Sequence, residues 1–150
     1  MTSEIVTCPA CGRRNRVPAA ASGVPRCAQC HSPLPWLATA TDDDAGEVID
    51  RSTLPVLLDL WAPWCGPCRM VSPALEELAR SHAGRIKLVK VDVDQSPAVA
   101  SRFEVLGIPT LVVLDHGRVV ARQTGAAPAP ALAAWLDQAL AELPAPSPAP

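Results

Sequence analysis

No stretch of this chain is both long and apolar enough to cross a bilayer, which takes about twenty consecutive apolar residues in a helix. Charge of one sign is missing too. The 150 residues carry a formal net charge of −2, too little for a general pull towards nucleic acid or an anionic surface. Aromatic residues make up only 3% of the chain. None is interleaved with the basic cluster Arg13-Arg14-Asn15-Arg16, so bases have nothing to stack on there. That cluster reads as a solvated loop or a docking surface for an acidic partner, and neither nucleic acid nor membrane is an expected partner. A dinucleotide fingerprint is absent. The opening residues, Met1 to Thr7, show neither the basic n-region nor the apolar h-region of a secretory signal, so a cytoplasmic location is expected. Thiols there are mostly reduced, and cysteine pairs are more often catalytic or metal-binding than structural disulfides.

What is present supports one ordinary domain with a small appendage. The chain is 49% hydrophobic, enough for a sizeable core. Its 17 prolines cluster in the first 35 residues, around the central cysteine motif and at the C-terminus, where they mark loops and linkers. Residues 1–34 carry a net charge of +3 and residues 35–150 a net of −5, an asymmetry that supports two units.

Cys8-Pro9-Ala10-Cys11 and Cys27-Ala28-Gln29-Cys30 are two C-x-x-C pairs separated by 15 residues. That spacing fits a four-cysteine zinc site, each pair giving two thiolates from a tight knuckle. Residues 1–34 therefore read as a zinc-ribbon-like segment with one structural zinc. Its larger aliphatics are Ile5, Val6, Val17, Val24 and Leu34, too few for a useful core, so metal binding must supply the folding free energy. Redox disulfides or an iron–sulfur centre are the alternatives. Cys27 to His31 also spells C-x-x-C-H, a haem-attachment pattern. Haem attachment needs export and leaves Cys8 and Cys11 without a role, so His31 reads as a surface residue or a neighbour of the metal.

The third pair, Cys65-Gly66-Pro67-Cys68, organises the rest. The apolar run Val56 to Trp61 reads as a central strand, and Gly66 to about His82 as a helix. A C-x-x-C between strand and helix is a redox pair. At the helix N-terminus the macrodipole and free N–H groups favour a thiolate on Cys65, with Cys68 one turn inside and in reach. Asp59 breaks the apolar run on the face of Leu57 and Trp61. It is either a satisfied buried aspartate or a proton carrier with a raised pKa.

The remaining pattern alternates strands and helices. Pro35 to Ala40 is expected as a first strand, and Thr41 to about Arg51 as a helix capped by Thr41, with Asp42, Asp43 and Asp44 in its first turn. Ile86 to Asp92 is a further strand. Ser96 to Phe103 is a short helix capped by Ser96. Thr110 to Leu114 and Arg118 to Arg122 form a hairpin around Asp115-His116-Gly117, with His116 a turn residue. Pro128 to Leu143 is an amphipathic closing helix, and 144–150 a disordered Pro/Ala tail.

With Trp64-Cys65-Gly66-Pro67-Cys68, Asp59 six residues before the first cysteine, and Gly107-Ile108-Pro109-Thr110 about forty residues on, residues 35–143 resemble thioredoxin. The four-cysteine segment ahead of them resembles the two-domain, zinc-bearing thioredoxins of bacteria. The resemblance implies an α/β fold with a central mixed sheet flanked by helices. It implies a buried aspartate at Asp59, a lysine near it at Lys90, and a cis bond at Ile108–Pro109 facing the redox pair. It also implies a glycine at Gly125 beside the substrate groove. Leu60, where many members have phenylalanine, departs from the pattern.

The expected activity is reduction of protein disulfides. Cys65 attacks, Cys68 resolves, Asp59 helps deprotonate Cys68, and Lys90 pairs with Asp59. Trp61, Trp64, Gly66, Pro67, Ile108, Pro109 and Gly125 shape the substrate surface. The resemblance adds an NADPH-dependent flavoprotein reductase as electron donor, and a monomer is expected. The rivals are a zinc-ribbon binding module on a thioredoxin scaffold, and a holdase switched on by oxidation and zinc loss.

Overall fold

The computed structural model describes residues 2–144. The expected tail lies outside the described residues from position 145 on. Two strands, β1 (Ser3–Thr7) and β2 (Arg14–Pro18), form an antiparallel ribbon. A five-stranded mixed sheet follows. Its strands are β3 (Leu37–Thr39), β4 (Val56–Trp61), β5 (Lys87–Asp92), β6 (Thr110–Asp115) and β7 (Arg118–Thr124), in the order β3-β5-β4-β6-β7. Strands β3, β5 and β4 run parallel, while β6 and β7 are antiparallel additions. Helices α1 (Gly66–Ser81), α2 (Pro97–Arg102) and α3 (Ala129–Ala141) complete the described elements, with one wide helical turn at Gly46–Asp50.

Strand alternation divides the core. Val56, Leu58 and Leu60 face one side with Val89, Val91, Val112 and Leu114, under Val48, Ile49, Val99 and Phe103. Leu57, Leu88, Leu111 and Val113 face the other, under Val71, Leu75 and Leu78 of α1 and Leu132 and Leu136 of α3. Both faces of β4 are covered, which is why its sequence is almost wholly apolar.

Three local expectations change. The segment after β3 does not form a capped helix from Thr41. Asp44 turns its carboxylate back onto the Thr41 N–H at 2.8 Å, and the helical turn begins only at Gly46. There the Arg51 N–H reaches the Gly46 carbonyl at 3.1 Å, an i→i+5 bond wider than an α-helical one. Asp42 belongs to a different helix. Its two oxygens accept from the N–H groups of Ala98 and Val99 at 3.0 and 2.9 Å. It therefore caps α2 in place of Ser96, whose buried hydroxyl has no partner among the described residues. The Arg13–Arg16 run is not a loop: Arg14 and Arg16 lie on β2 and point outwards, while Asn15 and Val17 point inwards.

The β6–β7 hairpin turns at His116 and Gly117, with φ of 49° and 81°. Positive φ at both central residues is the geometry whose twist matches paired strands. A Cβ on Gly117 would sit 2.9 Å from Asp50 Oδ1, and that carboxylate holds Arg102 through two bonds of 2.7 and 2.8 Å. Gly117→Ala is expected to cost about 1–2 kcal/mol in urea unfolding, from left-handed strain and displacement of Asp50. A loss under about 0.3 kcal/mol would contradict this account.

The N-terminal ribbon is not isolated. Val6, Val17 and Leu34 bury together with Cys8, Cys27 and the fully buried Trp36. The indole Nε1 donates to the Pro18 carbonyl at 3.0 Å, and Ala19 reaches into the main core. The Trp36 ring is also covered by Lys87, whose Nζ lies 4.4 Å from the ring centroid and donates to the Val48 carbonyl at 2.6 Å.

Candidate functional site

Cys65 is the N-cap of α1, in an extended conformation just after the turn that follows β4. It is disulfide-bonded to Cys68, with Cα atoms 5.3 Å apart. Pro67 occupies the first turn, where a missing N–H leaves no bond unmade. The Cys68 N–H donates to Cys65 Sγ at 3.2 Å. A thiolate on Cys65 would keep that donor and gain the positive end of the α1 dipole, so the local backbone favours the reactive form. The opposite wall is the Ile108–Pro109 peptide, which is cis. Cys65 Sγ lies 3.8 Å from the Ile108 carbonyl. The Gly125 N–H donates to the Pro109 carbonyl at 2.8 Å, and among the described residues nothing beyond its chain neighbours lies within 4 Å of where a Gly125 Cβ would be.

Both cysteines are buried, packed with Ala62, Trp61, Val93 and Ile108. Trp64 stands out at 70% exposure, steadied by its Nε1 donating to Asp94 at 2.6 Å. Gly66 and Pro67 are also exposed. This surface beside the sulfur pair is apolar and open.

Asp59 is 1% exposed, and its Oδ1 has no partner among the described residues. Burial pushes its pKa up from 3.8 to about 6, against the opposing pull of the Lys90 cation. Lys90 is the register partner of Asp59 on β5. Its ammonium is not in an ion pair with Asp59. It donates instead to Ser72 Oγ on α1 and lies 5.5 Å from the Trp61 ring centroid. Trp61 Nε1, two residues from Asp59 on the same face, is likewise buried without a partner among the described residues.

A second centre lies in the N-terminal ribbon. The Sγ atoms of Cys8, Cys11, Cys27 and Cys30 all lie within 4.8 Å of one another, with contacts of 3.6 Å between Cys8 and Cys30 and 3.5 Å between Cys11 and Cys27. The two pairs fold alike. Gly12 N–H donates to the Cys8 carbonyl and His31 N–H to the Cys27 carbonyl, both at 2.9 Å. Gly12 and His31 both turn left-handed, with φ of 80° and 65°. His31 is thus an exposed turn residue. Asn15 ties the knuckles together: its Nδ2 lies 3.5 Å from Cys27 Sγ and its Oδ1 accepts from Ala28 N–H at 3.0 Å.

The donor set suits a cation. Backbone donors from Cys30 and Gln29 hold the Cys27 thiol down to about 6, and the Ser32 hydroxyl and N–H lower Cys30. The Arg13 backbone lowers Cys11, but desolvation and the three neighbouring thiols outweigh it and push that thiol up to about 12. Four thiolates this close cannot all form without a positive charge among them. The cluster can hold a metal ion.

Some of these residues escape a reading of the sequence. Asn15 is signalled only by its inward place in the β2 alternation. Ser72 sits at the i+4 position from Cys68 on α1, a spacing that puts both on one face. Asp94 gives no signal beyond being near in sequence to β5. Among the described residues, no helix is long and apolar enough to cross a membrane.

The family model described as Thioredoxin matches residues 36–138. A thioredoxin from Haemophilus influenzae is 48% identical over 97 residues, covering 65% of this chain and 91% of that protein. Thioredoxin 1 of Synechococcus elongatus is 44% identical over 103 residues, 69% of this chain and 96% of that protein. Thioredoxin C-3 of Corynebacterium nephridii is 40% identical over 139 residues, 91% of this chain and 95% of that protein. That last match is too long to fit within residues 35–150, so it runs into the cysteine-bearing segment. With the mixed sheet, the helix-capping cysteine pair and these matches in agreement, the chain belongs to the thioredoxin family and is a thiol–disulfide oxidoreductase that reduces protein disulfides.

Proposed function

We propose that Cys65 is the attacking thiolate and Cys68 the resolving thiol, with Asp59 as the proton carrier between Cys68 and solvent. Cys65 attacks one sulfur of a substrate disulfide. A mixed disulfide forms, and the other substrate sulfur leaves as a thiolate. Cys68 gives its proton to Asp59 and attacks Cys65 Sγ. The second substrate sulfur then leaves, and two electrons have passed to the substrate. The oxidised pair seen here is the product of that step. The observation that carries the reading is the seating of Cys65 at the α1 N-cap, with the Cys68 N–H on its sulfur and the Ile108 carbonyl opposite.

The substrate surface is read as Trp61, Trp64, Gly66, Pro67, Ile108, Pro109 and Gly125. An extended peptide laid beside Ile108–Pro109 would use its own backbone groups, which favours many different protein substrates. Asp59 works through a water, for which its unpartnered Oδ1 is an available acceptor. Lys90 lowers the Asp59 pKa by its field. Residues 35–143 form the catalytic domain and 1–34 the metal segment. Sulfur ligands at about 2.3 Å around a tetrahedral zinc lie about 3.8 Å apart, close to the contacts between Cys8, Cys11, Cys27 and Cys30. One structural zinc held by these four is therefore the reading the geometry supports. An NADPH-dependent flavoprotein reductase is the proposed electron donor, in the cytoplasm, and the acting species a monomer.

Reduction of insulin disulfides driven by a dithiol tests this. The wild type should turn over and Cys65→Ser should not. No turnover by the wild type would overturn the reductase reading in favour of a binding module. Adding Cys8→Ser separates the two centres: loss confined to Cys65→Ser makes the metal segment accessory, and loss in both makes it part of the fold or of substrate capture.

A further inference from the structure

Lys90 lines a groove of about 400 Å³ between β1, the β3 edge and α1. Glu4, Glu76 and Arg80 line the same groove. Arg80 is taken by Glu77, with Nε to Oε2 at 2.9 Å. Glu4 and Glu76 are in no ion pair among the described residues. A lysine with four rotatable carbons and two free carboxylates in its groove would ordinarily swing towards one of them. Glu76 lies one turn beyond Ser72 on α1, away from the redox pair. In the structure the ammonium instead donates to Ser72 Oγ, beside Trp61 and across from Asp59.

We propose that Ser72 is a positioning residue for the thiol–disulfide reaction: its hydroxyl holds the Lys90 ammonium at the Asp59 end of the groove and away from Glu76 and Glu4. The proposal rests on the reading of Asp59 as the proton carrier for Cys68. Asp59 is reached by few charges. Lys90 is its register partner on β5, and the apolar Leu111 its partner on β6. The sheet face that carries Leu57 and Leu111 is covered by Leu132 and Leu136 of α3, which bring no charge. Moving one cation by a few ångströms thus changes a large part of the charge that Asp59 experiences.

The sign follows directly. Lys90 favours the anion of Asp59, so releasing Lys90 raises the Asp59 pKa and moves the acid limb of the resolving step to higher pH. A displacement of a few ångströms at an intermediate dielectric corresponds to about half a pH unit, or about a threefold slower step on the acid limb.

The test titrates the Asp59 carboxyl by carbon NMR in the oxidised protein, where neither Cys65 nor Cys68 titrates. Alongside it, the pH profile for release of a preformed mixed disulfide on Cys65 is recorded. Ser72→Ala and Lys90→Met should each raise the Asp59 midpoint. Ser72→Thr, which keeps the hydroxyl, should leave it in place, and the double variant Ser72→Ala/Lys90→Met should match Lys90→Met alone. A midpoint that moves in Lys90→Met but not in Ser72→Ala overturns the role of Ser72. A midpoint that moves in neither overturns the role of both. The Asp59 reading fails separately: Asp59→Asn would then leave the release profile unchanged, whatever Ser72 does to the carboxyl midpoint.

Discussion

Stripping the metal with a chelator, or replacing Cys8 by serine, is expected to unravel the N-terminal ribbon and leave the main sheet standing. Structural zinc in small cysteine sites binds with an apparent free energy of about 10–16 kcal/mol near neutral pH, most of which is folding free energy. The ribbon has little else. Apart from Ala19, which packs into the main core, its buried aliphatics are Val6, Val17 and Leu34, and half of its small core is cysteine and a tryptophan borrowed from beyond it. Without a cation the four sulfurs, all within 4.8 Å of one another, are too close to ionise together. Hydrogen exchange should therefore lose protection in β1 and β2 while β4 and β6 keep theirs. The chain has no tyrosine and four tryptophans, so its ultraviolet emission reports indoles alone, and unwrapping of Trp36 should shift it to the red. Metal analysis should find one zinc per chain before treatment. Full β1 and β2 protection in protein shown to be metal-free would defeat the structural role.

Replacing Asp59 by asparagine should make the oxidised protein more stable than wild type at pH 8 compared with pH 4, by about 2.5 kcal/mol, since pH 4 already lies just inside the window. The sign comes from linkage. The folded-state pKa of Asp59 is raised from 3.8 to about 6, so between those values the native protein holds a proton that the unfolded chain has released. Wild-type stability therefore falls as pH rises through that window. The full fall is about 3 kcal/mol, at about 1.36 kcal/mol for each tenfold change in proton affinity. Asparagine does not titrate, so the variant lacks this fall. Taking the difference between variant and wild type cancels other titrating groups and the constant cost of burying an amide. The same variant should resolve its mixed disulfide more slowly, roughly a hundredfold if Asp59 is the base for Cys68. Denaturant unfolding at several pH values, with the disulfide kept closed, gives the first number. Parallel stability curves for variant and wild type would show that Asp59 is not held at a raised pKa.

The redox half of the protein is legible in the sequence because its signals are local and redundant. The run Val56 to Trp61 fits only a strand covered on both faces, and the period of two places Asp59 on the face that α1 covers. The spacing of Cys65 and Cys68 places one at the helix cap and the other a turn inside. Both N-terminal pairs are legible as a cluster for the same reason. What escapes is decided by competition over distance. Ser96 is a good cap by composition, but Asp42 is far from α2 in sequence and adjacent to it in space, and a carboxylate with two oxygens takes both N–H groups. Thr41 loses its helix because the Asp44 carboxylate takes the Thr41 N–H. Alternation brings Lys90 beside Asp59, but the end of a long side chain goes where the acceptors are, and nothing in the sequence marks Ser72 as one. Residues 1–34 are too poor in aliphatics for a core of their own because the residue that completes it, Trp36, lies just beyond them.

That tryptophan limits what can be done with the protein as parts. Trp36 closes the small core of the metal ribbon and also roofs the buried Lys87. Cutting the chain at the ribbon's end would leave a bare indole above a lysine no longer sealed from water, and the shortened domain would be sticky. Moving the ribbon onto another scaffold would fail in the converse way unless the recipient offered an indole at the same place. For a protein engineer the ribbon and the main domain share one keystone: the ribbon can be lengthened or given another metal, but the joint at Trp36 has to travel with it.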